Sequence, residues 1–332
     1  MSAILVTGGA GYIGSHAVKA LRLAGFEVVV YDNLTAGHAQ AVGRVPLVVG
    51  DIRDEALLGD TMRRHDVSAV MHFAALLNVG ESIRDPLAFY TTNVLGALTV
   101  LNAMVAASVD TFVFSSTCAV YGEPVETPIP ESHPTAPISA YGETKLAVER
   151  ALRHVERAYG LRSISLRYFN ASGADPDGEL GEDHDPEIHI IPRAIDAAAG
   201  GPALQVFGTD YPTPDGTCLR DYIHVTDLAD AHVLALQSLR AGRTSTAYNL
   251  GYGRPFSVRE VIDAVGRAAG RAVSWTPAPR RPGDPAVLYA SSGRARGELG
   301  WRPRFGGLDD IVNTAWRWHA AHPHGYNSGA AR

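Results

Sequence analysis

Two cysteines, Cys118 and Cys218, are all that occur in 332 residues. They stand far apart and without metal-type spacing, so neither a disulfide framework nor a zinc site is expected, and a reducing cytoplasm is. Charge of one sign is equally scarce. The 29 lysines and arginines face 35 acidic residues, for a net charge of −6, and the basic residues are dispersed. This argues against a nucleic-acid surface but leaves room for a local anion pocket. No basic leader precedes an apolar segment, and no uncharged apolar stretch reads as long enough to span a bilayer, so neither secretion nor membrane insertion is expected. His-Pro-His in HAAHPHGYNSGAAR lies in a polar, glycine-bearing stretch that reads as a flexible tail over 326–332, and no metal site is expected. Internal repeats and low-complexity tracts are also lacking.

What is present is an alternation. Short β-branched runs such as AILVT, EVVVYD, PLVVGD, SAVMHFAA, TFVFSS and SISLRYFN are separated by longer helical patterns. Strand, helix, strand without hairpin signals means parallel strands joined by crossover helices, and strands apolar nearly throughout mean a sheet covered on both faces. The expected fold is α/β, a Rossmann-type doubly wound parallel sheet over residues 1–170. Beyond 170 the pattern loosens into NASGADPDGELGEDHDPE, TDYPTPDGT and APRRPGDPA. Long loops of this kind tend to be functional. Residues 171–325 are therefore expected to form a smaller α/β substrate-binding region, with helices at 226–240 and 257–269 candidates to pack back on the first domain.

VTGGAGYIGSH, residues 6–16, sits between the first strand and the first helix and places Gly8, Gly11 and Gly14 three apart. Glycines allow a tight turn and close approach of a pyrophosphate to free amides at a helix N-terminus. Asp32 ends the second strand 18 residues after Gly14, where a carboxylate can take the hydroxyls of an adenosine ribose. It would repel a 2′-phosphate, and no arginine follows at once, so NAD is expected rather than NADP. Asp51 ends the third strand, either to reach the adenine or to cap the next helix.

SAYGETKLAVER, residues 139–150, sets Tyr141 four residues before Lys145. On a helix both project from one face, close enough for a cation to act on a phenol. Alone, such a pair also arises by chance in amphipathic helices. Set with the glycine turn, HFAA at 72–75, Asn93 and FSST at 114–117, it resembles the extended short-chain dehydrogenase/reductase superfamily. RYFNASGADPDGELGED at 167–183, TCLRDYIHVTDLADAH at 217–232, YNLGYG at 248–253 and RRPGD at 280–284 extend the likeness to the UDP-glucose 4-epimerase family, over nearly the whole chain.

The resemblance implies Tyr141 as base, Lys145 as its electrostatic partner and a ligand of the nicotinamide ribose, and Thr117 as the hydroxyl that bonds the sugar. It implies NAD contacts from Gly8, Gly11, Tyr12, Ile13, Gly14, Asp32, Asn33, Asp51, Ile52, Phe73, Ala74, Ala75, Asn93, Ser115, Tyr168 and Phe169. For a UDP sugar it implies Asn170, His189, Ile190, Val206, Phe207, Arg220, Arg281, Asp284 and Leu288, with the arginines on the diphosphate and Asp284 on the uridine ribose. It further implies a homodimer through helices at 87–107 and 140–158. A free phenol with pKa of about 10 is ionised in only about one molecule in a thousand at neutral pH, so a nearby ammonium and a positive nicotinamide are expected to favour phenolate.

Two features depart from the family's pattern. Leu77 stands where some members carry lysine, and Thr117 where serine is common. A nucleotide-sugar 4,6-dehydratase shares the Tyr/Lys pair but resembles a pattern with Asp and Glu after the threonine, where this chain has Cys118 and Ala119. A non-enzymatic NAD sensor would not need Tyr141 and Lys145 together. A 4-epimerase of another UDP sugar, glucuronate or a pentose, remains the rival reading.

Overall fold

Seven apolar strands line up in parallel because none is followed by a turn short enough to bring the chain straight back. In the computed structural model, residues 2–281 and 284–326 are described. The expected tail therefore lies outside the described residues except for Tyr326. That residue is anchored: its amide donates to Asp183 at 2.8 Å and its ring packs on Trp318.

The strands β1 (Ala3–Thr7), β2 (Glu27–Asp32), β3 (Leu47–Val49), β4 (Val67–His72), β5 (Thr111–Thr117) and β6 (Arg162–Tyr168) form the sheet together with the strand Thr246–Leu250. Its order is Thr246–Leu250, β6, β5, β4, β1, β2, β3. The order reverses between β1 and β4, and a ligand crevice opens at such a switch point beyond the strands' carboxyl ends. Alternate residues serve opposite faces. Ile4 and Val6 pack under the helices Tyr12–Leu23 and Val225–Arg240, whereas Leu5 packs under Gly96–Ala106 and Ala140–Tyr159. The interior of the sheet is thus apolar on both sides.

Residues beyond 170 supply both the seventh strand and a second, smaller core. The helix Val225–Arg240 does pack back, against the first helix. The helix Val258–Ala269 does not. Its stripe Val261, Ile262 and Val265 is buried with Ile191 and Ile195 of Ile190–Ala199 and Ile311 and Val312 of Leu308–Ala321. This bundle lies beside the short parallel pair Leu204–Phe207 and Trp275–Ala278.

One expectation about the bilayer needs correction. The continuous helical stretch Pro86–Ala106 is, by length and composition, long and apolar enough to cross a membrane, although 50% of its most apolar window is buried within the protein. Its buried side, including Phe89, Ala97, Val100 and Met104, belongs to the core. Its other side leaves Leu87 76%, Leu95 52% and Leu98 36% exposed.

Candidate active site

A cleft of about 950 Å³ runs along the carboxyl ends of the strands and opens against the smaller core. At one end lies the glycine turn. Gly8 adopts φ +72°, and a Cβ there would stand 2.4 Å from the Ala74 amide nitrogen; a Cβ on Gly14 would stand 2.1 Å from the Gly8 carbonyl oxygen. Only glycine lets the backbone close in this way. The helix Tyr12–Leu23 that follows has no side-chain cap, so its first amides are free to meet an anion. This cradle fits a dinucleotide pyrophosphate.

Asp32 is buried and accepts from the Ala10 and Leu34 amides, each at 2.9 Å. Each carboxylate oxygen keeps a second lone pair for a ribose hydroxyl. Asp51 lines the cleft but does not cap the next helix. Asp54 does that, accepting from the Leu57 amide at 3.0 Å, while Asp51 is clasped by Arg53 and held down to about 2 by that pairing. The lining also includes Tyr12, Ile13, Asn33, Ile52, Phe73, Ala74, Ala75 and Leu77.

Asn93 is the one expected cofactor residue not among those lining the cleft. It is buried, accepts from the Leu76 amide at 2.8 Å, and donates to the Leu76 carbonyl and the Thr144 hydroxyl, both at 3.1 Å. These bonds use both amide protons and one Oδ1 lone pair, so Asn93 braces the cleft wall against the helix Ala140–Tyr159.

That helix starts where Ser139 accepts from the Gly142 amide at 3.2 Å, and its first two turns present Tyr141 and Lys145 to the cleft. Lys145 is buried, donates to the Ser115 carbonyl at 2.8 Å, and lies 5.1 Å from the Phe114 ring centre. Burial lowers its ammonium to about 7. Burial also pushes the Tyr141 phenol well above its ordinary value, with the Thr117 hydroxyl pulling modestly the other way. Desolvation favours the neutral form of both groups, and an added positive charge such as the nicotinamide ring is what can shift the phenol toward phenolate. Tyr168 shares a short hydrogen bond with Ser115 beside this pair and is raised to about 12 by burial.

Phe169 continues the wall, and Asn170 turns its amide onto the Asp221 carbonyl at 3.1 Å. Across the cleft Arg220, also buried, is paired with Asp284. The two groups expected on diphosphate and ribose thus neutralise each other here. Arg281 lies over the Phe207 ring at 3.9 Å. His189, Ile190, Val206 and Leu288 complete this end. Leu288 pairs in register with Arg220 on the strand Leu219–Arg220. It faces the cleft, while the Tyr289 carbonyl turns to the Ile129 amide at 2.9 Å.

Sequence reasoning missed Glu182 and His184, which also line the cleft. With Glu187 and His189 they bring their ligating atoms within 4.8 Å of one another. Burial works to lower both imidazoles, but Glu182 and Glu187 prevail and hold His184 at about 9 and His189 at about 10. The alternation E-x-H-x-x-E-x-H over 182–189 was the signal available. Cys118, where a dehydratase would need an acid, is pushed up to about 12 by burial and cannot serve as one.

A glycine cradle at the switch point of a parallel sheet, with a buried Tyr/Lys pair at the same edge, defines a dinucleotide-dependent enzyme of the short-chain dehydrogenase type. The chain belongs to the NAD dependent epimerase/dehydratase family, which it matches over residues 4–251. It is 51% identical over 327 residues to the UDP-glucose 4-epimerase of Halalkalibacterium halodurans, covering 98% of each chain. The UDP-glucose 4-epimerase of Brucella ovis, solved in complex with NAD, superposes with a TM-score of 0.93 at 51% identity over 96% of this chain and 98% of that one. The enzyme of Stenotrophomonas maltophila, solved with NAD and formylated UDP-arabinopyranose, gives a TM-score of 0.93 at 43% identity over 97% of this chain and 99% of that one.

Proposed function

We propose that the protein is an isomerase that interconverts UDP-glucose and UDP-galactose at C4 through a transient 4-keto sugar, with NAD as its resident cofactor. The observation that carries this is the convergence of Tyr141 and Thr117 beside Lys145 at the cradle end of a cleft whose far end holds Arg220 and Arg281. NAD held by the glycine cradle and Asp32 would supply the hydride acceptor, and then the hydride donor, for C4. Tyr141 takes the 4-hydroxyl proton and gives it back. Thr117 orients that hydroxyl, and Lys145 holds the nicotinamide ribose while keeping its charge near the phenol. Arg220 and Arg281 hold the diphosphate by their forks of donors, so that the keto sugar turns about its link to a fixed anchor. Arg220 must then share or release Asp284.

Incubating the purified protein with UDP-galactose, without added NAD, should yield UDP-glucose. Failure to interconvert any UDP sugar overturns the reading, and a 4-keto-6-deoxy product would favour the dehydratase. Lys145→Ala should lower turnover by about 10²-fold or more and also empty the cofactor site, since one ammonium serves both tasks. A Lys145→Ala protein that keeps its NAD and its rate would remove Lys145 from the site.

The cleft's breadth at Leu288 supports a wider substrate range. Leucine lacks the ring that a tyrosine would place there, and pocket size discriminates an added acetamido group mainly by steric overlap. The reading therefore extends to UDP-GlcNAc and UDP-GalNAc. Leu288→Tyr should reduce activity on the acetylated pair while sparing the plain pair; a parent enzyme inert toward UDP-GlcNAc contradicts it. The reading also includes a cytoplasmic homodimer. Its support is the exposed apolar side of Pro86–Ala106, where Leu87 and Leu95 would be covered by a second copy, and equilibrium sedimentation showing only monomer would refute it.

A further inference from the structure

The segment Glu182 to His189 carries four side chains that the epimerase chemistry does not use together. Glu182 and His184 stand two apart, as do Glu187 and His189, so each pair can turn to one side of an extended chain. All four meet. His184 Nδ1 lies 3.4 Å from Glu182 Oε1 and 3.6 Å from Glu187 Oε2, and His189 Nδ1 lies 3.3 Å from Glu187 Oε1 and 2.7 Å from Glu182 Oε1.

Proximity here is not hydrogen bonding. Glu182 Oε1, His184 Nδ1 and His189 Nδ1 are inaccessible to solvent, and none of the three makes an aligned hydrogen bond. The Glu182 side chain is only 4% exposed. A carboxylate oxygen this deep is costly to leave without an aligned donor, and both imidazole nitrogens lie within 3.4 Å of it.

We propose that these four residues bind a divalent transition-metal ion, zinc by preference, as a structural site in the cleft wall. Ligand bonds of about 2.0–2.2 Å arranged tetrahedrally separate neighbouring ligand atoms by about 3.3–3.6 Å. The separations of 3.4 and 3.6 Å from His184 Nδ1 to Glu182 Oε1 and Glu187 Oε2 already match this, and the 2.7 Å between His189 Nδ1 and Glu182 Oε1 has only to open slightly; the 3.3 Å from His189 Nδ1 is to the other Glu187 oxygen, Oε1, which the two amides hold. Two nitrogens and two carboxylate oxygens suit a borderline cation. Magnesium and calcium prefer an all-oxygen set.

The surroundings hold the ligands in place. Glu187 Oε1 accepts from the Ile188 and His189 amides, both at 2.7 Å, which fixes that carboxylate. The Tyr12 ring meets the His184 ring edge-on at 6.3 Å. His189 is the residue from which the helix Ile190–Ala199 starts. A bound ion would therefore tie the glycine-turn side of the cleft to the smaller core, independently of whether NAD or a UDP sugar is present.

The alternative is a purely ionic cluster in which both imidazoles stay protonated between the two carboxylates. The two are separated by metal content. Full-length protein purified without chelator is analysed by plasma mass spectrometry, then stripped and titrated with Zn²⁺, and with Mg²⁺ as control, against a competing chelator. We expect about one zinc per chain, bound below micromolar, no comparable uptake of Mg²⁺, and a thermal transition raised by several degrees on reloading. His184→Ala and Glu182→Gln should each weaken zinc binding by about tenfold or more. Wild-type protein that takes up no zinc tighter than about 100 µM overturns the proposal without recourse to any variant, as does a folded His184→Ala protein with unchanged affinity. None of these readouts depends on epimerase activity, so failure of this site and failure of the proposed function are distinguishable.

Discussion

Tyr141→Phe is expected to lower turnover of UDP-galactose by about 10²- to 10⁴-fold while the purified protein still carries NAD. The ring survives, so the packing against the cleft survives with it. What goes is the oxygen that accepts the 4-hydroxyl proton. The expectation is sharpened by the electrostatics: burial alone holds the phenol protonated, and the same burial keeps Lys145 near neutrality at about 7. The pair is primed to respond to a positive ring beside it rather than ionised in advance. Turnover should therefore depend on the oxidised cofactor's charge as well as on the side chains. Stopped-assay rates within tenfold of the parent, with NAD content unchanged, would remove Tyr141 from the chemistry. Loss of NAD together with activity would instead recast it as a binding residue.

Much of this was legible in the sequence, and the reason is periodicity. The sheet showed itself because strands buried on both faces are written as unbroken apolar runs, and the dinucleotide end because glycines at fixed intervals have few other uses between a strand and a helix. Leu288 could be placed by counting from Asp284, and it lines the cleft whereas Tyr289 does not. Other features depended on partners that spacing does not reveal. Asn93 is held by Leu76 and Thr144, the latter 51 residues away, which no local pattern records. The pairing of Arg220 with Asp284 spans 64 residues and joins two groups that the sequence reading had assigned to different parts of the ligand. The helix Val258–Ala269 shows an apolar stripe but not its destination, and the stripe fits the second bundle as well as it would have fitted the sheet. The metal-type cluster was overlooked because its acidic and imidazole groups lie within a loop rich in Asp and Gly, where single charged residues are ordinarily solvated.

The largest effect on stability is expected from Glu149→Ala. Glu149 lies in the helix that carries Tyr141 and Lys145, is buried, and pairs with the buried Arg167 on β6, whose Nε donates to Glu149 Oε1 at 2.9 Å. Ser116, between Ser115 and Thr117 on β5, donates to the same oxygen at 2.5 Å. Arg167 also donates to the Tyr121 hydroxyl at 2.9 Å, which in turn donates to Asn249 at 2.7 Å. Truncating the carboxylate leaves a guanidinium that cannot shed its charge in a place water does not reach, so the cost is the desolvation of an unpaired ion and not the loss of one contact. Breaking such a pair costs about 3–5 kcal/mol, several times what an exposed pair such as Arg267 with Asp309 would lose. Removing both partners together, as in Glu149→Leu with Arg167→Met, abolishes the stranded charge and should recover most of that loss. Denaturant unfolding of the parent, both single variants and the pair decides the matter. A Glu149→Ala protein within 1 kcal/mol of the parent, or a double variant no more stable than Glu149→Ala, would mean that water or another anion reaches Arg167 and that the pair is not what joins the catalytic helix to the sheet.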